Sequence, residues 1–417
     1  VDPIKLLDDL TSATVAAHQR PGFFDQRLRR AEVLLPTAEL VIAIDPDRAM
    51  GFARALPVAD HRHAALAVMA AELVGTDPGR ANTLFADVEH NATSWSARTA
   101  VGVVRMAVAL HRTDRRRAER LLRQAEARLL ADTPAQTACF AGEFATALAV
   151  LDRRRAEKAL DKAATRPLSP EEMGDDTWAA GSEQRLMVAV AMVAYSPRKA
   201  EQILARVHAP YDRDCLRPRL IKAIAAVDLA HAERLARATT NAYHRVVWLG
   251  ETAEISARRE PARADRLIRE ARGMAEAMTD GTQYRWSMSA ALKAVAVREP
   301  ERADRLATSI GDVWLSGSLA GAIAATNPAR GLELARSVPD KEMRTRLLAE
   351  AAQEIAAVDP ALAEDVVREG LPSWEVADVL LRMVPVDPDR AARLARKVGH
   401  HPPRASVFVA LLSTMRG

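Results

Sequence analysis

Residues 387–398 read DPDRAARLARKV, and their apolar positions fall three and four apart: Ala391, Leu394 and Ala395. That spacing places them on one face of a short helix. The same stripe recurs as Ala303, Leu306 and Ala307 after EPERA at 299–303. A second type of segment follows each such helix, as in HRHAALAVMAAELV at 61–74, MRTRLLAEAAQEIAAV at 343–358 and SWEVADVLLRMV at 373–384. Its apolar residues also recur at three and four, which predicts a second helix. The next proline ends it, because the residue before a proline is driven out of helical backbone.

The phrase that opens the first helix is repeated along the chain. Copies stand at 45–49 (DPDRA), 77–81 (DPGRA), 114–118 and 152–156 (both DRRRA), 196–200 (SPRKA) and 228–232 (DLAHA). They continue at 260–264 (EPARA), 299–303 (EPERA), 327–331 (NPARG), 359–363 (DPALA) and 387–391 (DPDRA). The closing residue of each copy, alanine everywhere except Gly331, serves as an anchor, and successive anchors lie 28 to 44 residues apart with a mean near 34. DPIKL at 2–6 reads as a degenerate zeroth copy, which brings the number of units to about twelve. Asp, Ser or Asn at the first place caps free backbone N–H groups, and proline next suits the first helical turn. The two Glu-Pro copies have a poorer cap but keep an anion at the positive helix end. Each first helix is expected to run for about ten residues.

Neither helix of a unit buries its stripe alone, and stacking units side by side removes that problem. The predicted fold class is all-α, an α-solenoid superhelix in one repeat domain over residues 1–417. Helical pairs of about 34 residues, with Asp-Pro at the junction and small residues at packing positions, resemble the tetratricopeptide and HEAT-like α-solenoid families. The resemblance covers nearly the whole chain and is one of architecture, since the tetratricopeptide pattern of Trp, Leu-Gly and Tyr is absent. It implies a non-catalytic scaffold or sensor module that binds proteins or peptides, expected to be part of a larger bacterial protein.

Two interruptions stand out. The longest anchor interval contains RPLSPEEMGDDTWAAGSE, 166–183, and is predicted to be a long connector or insertion. It separates a less regular first part, 1–165, from a more regular second part, 184–417. DTPAQTACFAGEF at 132–144 reads as another long junction.

Composition agrees with close-packed helices. The apolar share is 49%, rich in alanine, with only six Trp, four Tyr and seven Phe. No apolar run approaches membrane-spanning length, and the N-terminus has no secretory pattern. The chain starts without methionine, so it is expected to be an excised or processed portion of something longer. Cys139 and Cys215 are too few for a disulfide framework or a zinc site and are expected to be buried small hydrophobes in a reducing cytoplasm.

Net charge is +4, but residues 98–166 hold 15 basic and 8 acidic side chains. Two arginine triplets, Arg115, Arg116, Arg117 and Arg153, Arg154, Arg155, replace Pro-x-Arg in consecutive copies. Positive charge at a helix start opposes the helix dipole, and nothing in the repeat requires it. The triplets are a candidate anchoring ridge for phosphate or an acidic segment, and a nucleic-acid-binding repeat is therefore the second functional reading. The competing expectation is neutralisation by Glu119, Glu126 and Glu157 or by the acidic segment 171–176. The motif arginines (Arg48, Arg80, Arg263, Arg302, Arg330, Arg390) follow the repeat, and a structural role between neighbouring units is expected of them.

Trp248, Trp286, Trp314 and Trp374 mark the starts of second helices. Packing is expected for most of them, with a binding groove as the alternative. Trp178 departs from that register, falls in the 166–183 insertion, and joins the triplets as a candidate binding residue. Catalytic signals are poor: His61 and His63 are two apart, His400 and His401 adjacent, and no glycine-rich phosphate loop or Gly-x-Ser-x-Gly elbow is present. GDDTW at 174–178 is similar to the Asp-rich element of helical terpene cyclases but lacks its first aspartate, which makes that enzyme class a distant third reading. No catalytic, cofactor or metal residue is assigned.

Overall fold

A computed structural model describes residues 2–19, 24–166, 177–206, 210–257, 259–399 and 401–416. The fold is all-α, with no strand among the described residues. Packing divides the chain into two units, Val1–His208 with Arg396–Gly417, and Ala209–Ala395.

The first unit contains α1 (Pro3–Gln19), α2 (Phe24–Ile44), α3 (Pro46–Ala55), α4 (Ala59–Leu73), α5 (Pro78–His90) and α6 (Ala97–Leu110). It continues with α7 (Arg115–Ala131), α8 (Pro134–Ala149), α9 (Arg153–Thr165), α10 (Thr177–Val193) and α11 (Pro197–Ala205). The second unit begins with α12 (Pro210–Val227), α13 (Leu229–Arg237), α14 (Ala242–Ser256), α15 (Pro261–Glu276), α16 (Gly281–Ala296) and α17 (Pro300–Ile310). Two short helices, α18 (Val313–Ser318) and α19 (Ala320–Ala324), come next. The unit ends with α20 (Pro328–Ser337), α21 (Lys341–Ala356), α22 (Pro360–Arg368), α23 (Ser373–Met383) and α24 (Pro388–Ala395). The last helix, α25 (His401–Arg416), packs against α1 and α2 and so belongs with the first unit.

The repeated phrase starts a helix at every copy. The side chains of Asp45, Asp77, Asp114, Asp152, Ser196, Asp228, Asn327, Asp359 and Asp387 each accept from the backbone N–H three residues on. Asp2 does the same for α1. Glu260 and Glu299 make no such bond, as their longer side chains predict. The anchors at 49, 81, 118, 156, 200, 232, 264, 303, 363 and 391 are each at most 1% exposed, and Gly331 is buried too. The fourth helical position therefore points into the core in every copy.

Within each unit, successive second helices touch one another: α4 with α6, α6 with α8 and α8 with α10 in the first, α12 with α14, α14 with α16 and α21 with α23 in the second. First helices fill the gaps between them, as α7 does between α6 and α8 and α15 between α14 and α16. Small residues allow the close approach. A Cβ on Gly102 of α6 would stand 2.9 Å from the Ala64 carbonyl oxygen of α4. Larger side chains complete the core, and each fully buried leucine, such as Leu121 or Leu267, contributes roughly 1.5–3 kcal/mol.

Three sequence expectations need correction. First helices are not uniformly short: α7 has 17 residues and α15 has 16. In α7 the apolar stripe continues through Leu121, Leu122, Ala125 and Leu129 with no Gly or Pro to stop it. The long junction expected at 132–144 is also mostly helix, because Thr133 caps α8 by accepting from Gln136 N, and Pro134 occupies its first turn. Cys139 on α8 is half-buried rather than buried, and the side chain of Cys215 lies outside the described residues.

Candidate functional site

The arginine triplets form the first turns of α7 and α9, behind the capping residues Asp114 and Asp152. Three of the six guanidinium groups are held by neighbours. Arg117 donates from Nε to Glu89 Oε1 at 2.7 Å and from Nη1 to Asn82 Oδ1 at 3.2 Å, and lies over the Phe85 ring. Arg155 donates to Glu126 and, at 3.0 Å, to Glu119. Arg153 donates to the Ala194 carbonyl at 2.7 Å and covers the Tyr195 ring. Arg115, Arg116 and Arg154 are exposed and form no ion pair among the described residues. Glu157 pairs with Lys199 at 2.7 Å. The acidic segment 171–176 lies outside the described residues. Trp178 is not in a loop: it sits in the first turn of α10, because helix resumes at Thr177. Its side chain lies outside the described set.

The motif arginines connect neighbouring copies. Arg80 reaches Asp47 at 3.1 Å, Arg263 reaches Glu233 at 3.2 Å and Arg330 reaches Asp304 at 3.0 Å, while Arg48 pairs with Asp8 and Arg390 with Glu364. Arg302 departs from this pattern and pairs with Glu299 of its own copy. Sequence reasoning missed the other half of the contact. The residue just after the anchor is acidic in Glu119, Glu157, Glu201, Glu233, Asp265, Asp304 and Glu364. In several copies it meets the residue just before the next anchor, as Arg155 meets Glu119, Lys199 meets Glu157 and Arg390 meets Glu364. The recurring Ala-Glu and Ala-Asp pairs carried that signal.

The second unit contains a groove of about 460 Å³ between α14, α16, α18 and α21. Residues from α14 face it as one stripe: Tyr243, Val247, Glu251 and Glu254. From α16 come Trp286, Ser289, Ala290 and Lys293, from α18 Trp314 and Leu315, and from α21 Met343, Arg346 and Leu347. Trp286 is 47% exposed and Trp314 37% exposed, whereas Trp248, one helix face away, is fully buried and stacked on His244. The recurring tryptophans therefore divide: Trp248 packs the core, while Trp286 and Trp314 line a groove. Trp374 on α23 is also exposed, outside this lining.

Gly250 sets how closely two walls approach. A Cβ there would stand 2.9 Å from the Ala290 carbonyl oxygen, so α14 and α16 touch backbone to backbone behind the groove. Arg285 donates to Asp312 at 2.7 Å, and Lys293 and Arg346 reach Glu350 at 3.5 and 3.6 Å. Glu251 has no such partner among the described residues. Its Oε2 is enclosed without a hydrogen-bond donor, and burial pushes its carboxyl above the usual range, opposed by the more distant Lys222 and Lys293.

Among the described residues, no group of three or more His, Cys, Asp or Glu is placed to hold a metal ion, and no helix is long and apolar enough to cross a membrane. Comparison with protein-family models, with characterised proteins and with solved structures finds no match.

Proposed function

We propose that the chain is an α-solenoid of about twelve helical pairs whose function is non-catalytic recognition of a peptide segment of another protein. One observation carries this reading: Trp286 and Trp314 stand exposed in the same groove. Indole rings supply large, stiff contact surface, and they dominate the energetics of protein recognition sites. A volume of about 460 Å³ falls within the ~300–1,000 Å³ range of ligand pockets. Two of its walls, α14 and α16, are held at fixed spacing by backbone contact, which suits a preformed site.

The test is selection of unstructured peptides on the full chain, followed by binding to the W286A/W314A double variant. Selected peptides are expected to lose binding to the variant while its melting temperature stays close to that of the parent. Peptides that bind both proteins equally would overturn this reading.

Nucleic-acid binding through the basic zone 98–166 ranks second. It is favoured by Arg115, Arg116 and Arg154, which are exposed at helix starts and form no ion pair among the described residues. The other three triplet arginines are already committed to Glu89, Glu119, Glu126 and Ala194. Oligonucleotide binding that weakens steeply with salt and disappears in R115E/R116E/R154E would put this reading first.

A further inference from the structure

Charges of both signs line the groove of the second unit, but they are not equally satisfied. Its cations have carboxylate partners: Arg285 holds Asp312, while Lys293 and Arg346 share Glu350. Two carboxylates on α14 have no cation paired with them among the described residues. Glu254 is exposed and forms no ion pair among the described residues. Glu251, one turn earlier, keeps Oε2 enclosed with no donor, and Lys222 and Lys293 act on it only from a distance. Both face the same space as Tyr243, Trp286 and Trp314.

We infer that the groove takes a basic peptide segment: an arginine or lysine lies over the Trp286 and Trp314 rings with its charged head at Glu251 and Glu254, beside an apolar side chain seated on Val247, Leu315 and Leu347. This deepens the recognition reading and rests on it. A guanidinium or ammonium group gives Glu254 a cation partner and, once the Glu251 carboxylate turns toward the groove, supplies the donor that Oε2 lacks. Its positive charge is attracted to the faces of the indole rings, an interaction that strengthens as water is excluded. Its alkyl stem covers apolar surface that is now in contact with water. An acidic peptide would instead bring its carboxylates against Glu251 and Glu254. A purely apolar one would bury Glu251 further and leave its oxygen without a donor, which is costly.

The experiment is selection of a phage-displayed random dodecapeptide library on the full chain, on W286A/W314A and on E251Q/E254Q. Peptides selected by the parent chain are expected to carry Arg or Lys next to Leu, Met or an aromatic residue. A synthetic peptide from that pool is expected to lose about ten-fold in affinity on E251Q/E254Q. Replacing its basic residue by Gln tests the same contact without touching the fold, and the two losses should not add. Groove-dependent peptides that are neutral or acidic, or that bind E251Q/E254Q unchanged, overturn the basic-segment inference and leave peptide recognition standing. Selection that fails altogether, or is indifferent to W286A/W314A, overturns both.

Discussion

Arg390 donates to Glu364 from the next copy of the repeat: the residue just before one anchor reaches the residue just after the previous one. Glu364 is 2% exposed and also accepts from Arg368 and Arg393, so three guanidinium groups converge on one carboxylate. These hydrogen bonds, that from Arg393 foremost, hold its pKa down at about 2.

Glu364 should therefore make stability depend on acid. A carboxyl with a depressed folded pKa contributes stability that is complete above its unfolded value, ~4.3, and is lost as pH falls toward about 2. E364Q is expected to cost about 1 kcal/mol near neutral pH, a low figure for such a network because solvent reaches the guanidinium groups. Urea unfolding of both proteins from pH 6 to pH 2 should show the difference shrinking with acid. A difference independent of pH would refute the assignment.

Gly250→Ala is expected to destabilise by roughly 1–3 kcal/mol, because the added methyl meets the Ala290 carbonyl oxygen in a backbone contact with no flexible side chain to yield. It should also widen the groove and weaken any peptide bound there. Thermal unfolding no different from the parent would show that α14 and α16 separate freely.

Trp248 and Trp286 should respond in opposite ways. W248A opens a cavity in the core and is expected to cost about 3–5 kcal/mol. W286A removes a half-exposed ring and should stay within about 0.5 kcal/mol of the parent. Equal losses would mean that Trp286 packs as Trp248 does.

At the triplets, R115E/R116E should leave stability unchanged or raise it by about 0.3–1 kcal/mol, since acidic residues suit the start of α7. R155A should lower stability, because it strands Glu119 and Glu126 on α7. Chemical denaturation of both variants decides this, and a loss in R115E/R116E would reveal partners for Arg115 or Arg116.

The repeat was legible because its signals are local. A capping side chain acts three residues away, and an anchor alanine is buried by helix geometry whatever its neighbours are; Asp359 with Ala363 illustrates both. The length of α7 was harder to read, since a helix continues until something stops it and Arg, Glu and Leu do not. The groove was legible only as an alternative to packing for the recurring tryptophans, and which of them line it could not be read. Trp286 and Trp248 hold similar places before the next cap, yet one is exposed and the other buried, because exposure depends on what α18 and α21 bring across from later in the chain. Likewise, nothing near Glu251 in sequence announces that its oxygen lacks a donor.

The docking of α25 onto α1 and α2 bears on the order of folding. Arg396 donates to Asp9 at 2.7 Å across 387 positions, a contact that cannot form until residue 396 has been synthesised. Closing a disordered loop of that length costs about 5 kcal/mol by polymer entropy alone. Residues 209–395 rely instead on contacts between near neighbours, which form quickly. They can be structured while the first unit still lacks its final helix, and their folding shortens the disordered chain that remains to be closed. On the ribosome, then, the unit begun before the other is completed after it, and until it is, the apolar residues of α1 and α2 that α25 will cover stay open to chaperones and proteases.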